Sequence, residues 1–186
     1  MSTAEEPGEV GPLAGEPQVS RSWLDRAIIS GGHFVSLIFL LSGIIIVLEI
    51  FLRYVFNSPT IWVHETTVFI CALCFAYGGC YCLARDKHIR IVLIYDSVSP
   101  VWRRRMDICI TIAGIIFGLM LSWASWTLAE KALFAPWGDF RMETSGSAWN
   151  PPFPALSKTF LFIIFIVMTL QFILHLVHYL KDKKDV

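Results

Sequence analysis

Three sets of residues in this 186-residue sequence have the type and spacing to do chemistry. Cys71-Ala-Leu-Cys74 has the spacing of a redox pair, but it lies in an apolar helical run with no base or water to stabilise a thiolate. The five cysteines, at 71, 74, 80, 82 and 109, therefore read as small packing residues. His33 lies near the start of the first apolar run and His175 near the end of the last, which puts both towards the cytoplasmic ends of their helices, so a pair of imidazoles for one b-type haem is geometrically conceivable. Arg53 and Glu65 stand at the two rims of a short polar turn, with Tyr54 and Trp62 beside them. Their opposite charges suit an ion pair across the turn, and a structural pairing fits Glu65 better than proton carriage. No phosphate-binding loop, metal-spaced His/Cys cluster or nucleophile triad is present in the sequence, and no cofactor is expected.

These residues are spaced by long stretches without charge. The chain is 55% hydrophobic and 16% charged, where soluble domains are usually about a quarter charged. Residues 27–48, 66–84, 108–129 and 159–180 contain no Asp, Glu, Lys or Arg. Each stretch is long enough to cross a hydrocarbon core of about 30 Å at about 1.5 Å per residue. Backbone groups in lipid must be satisfied internally, so the stretches are helices. The fold class expected is all-α integral membrane, with four spans at about 27–51, 60–84, 106–129 and 157–180 within a domain covering 21–186. Residues 1–20, rich in Pro, Gly and Glu, read as a disordered cytoplasmic tail and not as a signal peptide.

Basic residues set the orientation. Arg21, Arg26, Arg85, Lys87, Arg90, Arg103, Arg104, Arg105, Lys181, Lys183 and Lys184 flank one side, against Arg53, Lys131, Arg141 and Lys158 on the other. That bias puts both termini in the cytoplasm and the Asn57-Ser58-Pro59 turn outside. Ser22 is positioned to cap a first helix beginning at Trp23, and Ser99-Pro100 to open the third. The apolar half of the 85–96 loop is expected to lie in the membrane interface or against another protein. The outward stretch 130–158, with its tryptophans and prolines, reads as a structured cap.

Small residues recur at four-residue spacing as Gly114, Gly118 and Ser122 on the third helix, and as Ala72, Ala76 and Gly79–Cys80 on the second. Such stripes let helices approach closely in lipid. Every Asp, Glu, Lys and Arg falls at a helix end or in a loop, with Glu65 taken as the deepest. A pump or membrane enzyme usually keeps an ionisable group near mid-bilayer. A small multidrug exporter, for instance, wants an acid buried within its first helix, whereas Glu49 lies at that helix's outer end.

Arg53-Tyr-Val-Phe-Asn57, then Trp62-x-x-Glu65, then Arg85-x-x-His88-Ile-Arg-Ile and Asp96 resemble the small membrane subunit, DctQ type, of tripartite ATP-independent periplasmic (TRAP) transporters. The resemblance covers about residues 25–180, with four helices in the same order. It departs at His64, where the family often has the first of two adjacent acidic residues. The resemblance implies a multi-pass protein of the bacterial inner membrane that is neither an enzyme nor the carrier itself. It implies as partners a large DctM-type permease and a DctP-type periplasmic binding protein, with uptake of an organic anion, commonly a carboxylate, driven by an ion gradient, commonly sodium. No nucleic-acid partner is expected. The competing reading is a b-type haem or quinone-linked anchor subunit of a redox complex.

Overall fold

The computed structural model describes residues 22–85 and 100–181. The 1–20 tail and the expectations for Lys87, His88, Arg90, Asp96, Ser99 and the last lysines lie outside them. Four helices follow in order: α1 (Trp23–Val55), α2 (Val63–Ala84), α3 (Pro100–Leu133) and α4 (Phe153–Lys181). All four are long and apolar enough to cross a membrane. The chain is a multi-pass, all-helical membrane protein. Among the described residues the extended backbone pairing is limited to one bridge, Phe134 with Phe140.

The helices run past the uncharged stretches at most ends, and local chemistry explains where they stop. Ser22 caps α1 as expected: its hydroxyl accepts the Asp25 amide at 3.2 Å, while the Ser22 amide donates to Asp25 Oδ2 at 3.1 Å. This reciprocal box satisfies two donors that a helix start otherwise leaves orphaned. At the far end Asn57 adopts φ +50°, a conformation asparagine tolerates, and the Ser58 amide folds back onto the Leu52 carbonyl at 3.2 Å. The second helix starts at Val63, later than the expected 60, because Thr60 is held by α1. Pro100 is the first residue of α3, where a missing amide costs nothing.

The main packing pairs are α3 with α4, α1 with α2, and α2 with α4. The closest pairings therefore run in the order α1–α2–α4–α3, with α1 also reaching α4 at one end through Asp25, and α1 and α3 are the least covered helices. This explains why large apolar side chains such as Phe34, Leu37, Leu40, Ile116, Phe117 and Trp123 stay exposed. Lipid tails are as apolar as leucine, so close approach has to come from small residues. A β-carbon at Gly118 would stand 2.5 Å from Thr169 Oγ1 and 3.5 Å from its Cα; one at Gly114 would stand 2.7 Å from the Phe172 ring. The third helix's glycines are therefore spent on α4 inside this chain. Gly31 and Gly32 do the same for α1 against Tyr77 and Tyr81. Tyr77 then donates its hydroxyl to the Ile28 carbonyl at 2.6 Å.

Candidate functional site

Polar side chains gather at the two ends of the helices. At the hairpin end Glu49, only 6% exposed, accepts from Arg53 Nη2 at 2.8 Å and Nε at 3.3 Å, one helical turn on. It also accepts the Thr60 amide, at 3.2 and 3.3 Å from its two oxygens, and the Thr60 hydroxyl. One carboxylate thereby closes the chain reversal between α1 and α2. This corrects the expected Arg53–Glu65 pairing, because Arg53 reaches back along its own helix, where an i, i+4 partner is already in range. It also corrects the reading of Glu65 as the deepest acid: α1 runs to Val55 and so places Glu49 six residues inside its end, whereas Glu65 is the third residue of α2.

Glu65 instead accepts from the Ser145 hydroxyl at 3.0 Å, tying the first turn of α2 to the 134–152 loop. That loop is a built cap. Ala135 and Gly138 close a turn through Asp139, Arg141 bonds back to Leu133, and Ser147 Oγ accepts the amides of Trp149 and Asn150. Phe153 then stacks on Phe69 at 4.3 Å with Trp149 edge-on at 5.3 Å, so ring packing joins the loop to α2 and α4. Lys158 and Glu143 form an ion pair across the same junction. Trp62, at the N-terminus of α2, is exposed, as is Tyr54.

The other end carries a cluster that sequence reasoning missed. Asp25 is 1% exposed and Gln171 fully buried. Gln171 Nε2 donates to Asp25 Oδ1 at 3.0 Å and to the Cys80 carbonyl at 3.3 Å. His175 Nε2 stands 3.1 Å from Asp25 Oδ2, within hydrogen-bond distance. Three helices are pinned at one point. Gln171 Oε1 has no partner among the described residues. Turning the amide would set that oxygen against the Asp25 carboxylate, so the observed orientation leaves the weaker deficit. The available signals were the Ser22-x-x-Asp25 cap and the i, i+4 pair Gln171 and His175 in an otherwise apolar run.

His33 lies exposed on the α1–α2 groove with Tyr77 and Tyr81, while His175 is taken by Asp25. No observation favours the haem-anchor reading, and among the described residues no group of His, Cys, Asp and Glu has metal-site geometry. The five thiols are free; Cys80 is buried against the Ile164 carbonyl at 3.7 Å, a packing role. Of the remaining candidates, Arg85 ends α2 and lies over the Tyr81 ring, and Ser122 returns its hydroxyl to the Gly118 carbonyl at 2.8 Å.

The arrangement is that of a four-helix membrane protein whose buried charges serve as clasps at the ends of helices. The family model for the DctQ component of tripartite ATP-independent periplasmic transporters matches residues 43–182, and the chain belongs to that family. It is therefore a transporter component rather than an enzyme. No individual curated protein sequence matches the chain.

Proposed function

We propose that this protein is the non-translocating small subunit of a TRAP transporter and braces a large DctM-type permease in the bacterial inner membrane. Its termini are cytoplasmic and its Pro/Trp-rich cap faces the periplasm, as the basic-residue bias indicates. The permease uses an ion gradient, sodium being the common choice in such systems, to take up an organic anion of the carboxylate class. A DctP-type binding protein delivers the anion.

The observation that carries this reading, beside family membership, concerns the buried acids. Asp25, Glu49 and Asp107 each lie in the terminal third of a helix, and the first two are fully engaged within the chain. A carrier needs an ionisable or polar group free to bind cargo near mid-bilayer. A brace needs a rigid set of helices with apolar flanks. Deleting the chain from its host tests the reading, with uptake of a panel of radiolabelled carboxylates measured in whole cells. At least one uptake activity is lost and returns only when the chain is restored. Unchanged uptake across the panel, in a strain still making the permease, contradicts it.

A further inference from the structure

Between α1 and α2 runs a groove of about 360 Å³. Its walls come from Gly32, His33, Ser36 and Phe39 on one side and Cys74 and Tyr81 on the other. The polar atoms on these walls are largely turned to backbone. The Ser36 hydroxyl donates to the His33 carbonyl at 2.8 Å, the Cys74 thiol to the Val35 carbonyl at 3.9 Å, and Tyr77 to Ile28. What faces outward is mostly hydrocarbon and ring.

The groove runs from an aromatic pair to a tyrosine that carries an arginine beside it. Phe39 and Phe75 meet edge to face at 6.1 Å and line its hairpin-side end. At the opposite end the Arg85 guanidinium lies 4.9 Å above the Tyr81 ring, held there by cation–π attraction. Asp25, at the same end, presents no free charge, since it is 1% exposed and bonded to Ser22, Gln171 and His175. From Cys74 to Arg85 the helix rises about 16 Å at about 1.5 Å per residue. One leaflet of a hydrocarbon core about 30 Å thick is about 15 Å deep.

We propose that this groove binds one anionic phospholipid from the leaflet on the side of the chain termini. An acyl chain fills it as far as the Phe39–Phe75 pair, and the phosphate rests on Arg85. The distance from Arg85 to the level of that ring pair, about one leaflet, favours a lipid over a helix of a partner protein, which would run through both leaflets. A guanidinium offers forked donors matched to a phosphate, and tyrosine fixes its position. His33 adds a hydrogen-bonding ring to the same wall.

The test uses the purified full chain in detergent, titrated with phosphatidylglycerol or phosphatidylethanolamine of identical acyl chains and read by native mass spectrometry. The first phosphatidylglycerol binds about fivefold better than the zwitterionic lipid, the effect of about one basic residue at a membrane surface. Arg85→Gln abolishes the preference but retains lipid, Arg85→Lys keeps most of it, and Ser36→Phe, which fills the groove, loses both lipids. Retention of the full preference by Arg85→Gln, or of both lipids by Ser36→Phe, overturns the proposal. So does a photo-crosslinker at position 36 that captures the large permease in cells instead of phospholipid.

Discussion

Thr60 gives both its amide and its hydroxyl to the carboxylate of Glu49, eleven residues earlier, and so fixes the reversal between α1 and α2. Glu49→Gln and Thr60→Val are each expected to lower the thermal midpoint of the purified chain by several degrees. Because the two changes break one contact, the double variant loses less than the sum. Arg53→Gln combined with Glu65→Gln gives additive losses, as those residues have separate partners. Thermal unfolding in detergent reads both cycles. Additivity for the first pair, or coupling in the second, contradicts the assignment.

Gly118→Leu and Gly114→Leu should each cost about 1–3 kcal/mol, the usual range for overpacking. The affected contact is internal, with Thr169 and Phe172 of α4, so the loss is present in the isolated chain without any partner. Phe117, 63% exposed on the same helix, accepts leucine with a change within about 0.5 kcal/mol. Unfolding in mixed micelles measures all three. A Gly118→Leu chain as stable as the parent but unable to assemble would move the contact to a subunit interface.

Gln171→Leu removes the donor shared by Asp25 and the Cys80 carbonyl and leaves both facing an apolar side chain. A destabilisation of about 1–3 kcal/mol is expected. His33→Ala, on the exposed groove wall, leaves the thermal midpoint of the chain near the parent's. Equal effects from the two changes would show that the buried cluster does not hold the helices together.

Topology is open to labelling in a background stripped of native cysteines. Ser58→Cys, in the exposed hairpin turn, reacts with an impermeant maleimide added to intact cells, whereas Lys181→Cys at the end of α4 reacts only after lysis. The reverse pattern overturns the orientation.

The four spans were legible in the sequence because absence of charge over a bilayer's width is a long-range signal with few other causes. The start of α1 was legible because Ser22 announced it as a cap, whereas its end, at Val55, lies four residues beyond the expected 51. The partners of the charged residues were not legible. Arg53 could look forward to Glu65 or back to Glu49, and only the path of the turn, with Thr60 brought over Glu49, decides between them. Likewise Gly114 and Gly118 marked a close approach, but the stripe itself does not say whether the partner is α4 or another subunit. Asp25 lies 146 residues from Gln171 and 150 from His175, and no local pattern joins it to them.

The central claim is that this chain is one part of an assembly. Affinity purification of the full-length tagged chain from its own membranes, with mass spectrometry and densitometry of what remains bound, tests it most directly. The account predicts one large multi-helix membrane subunit retained in equimolar amount. Recovery of the chain alone in a mild detergent that preserves its fold, or bound instead to a haem- or quinone-containing complex, would contradict it.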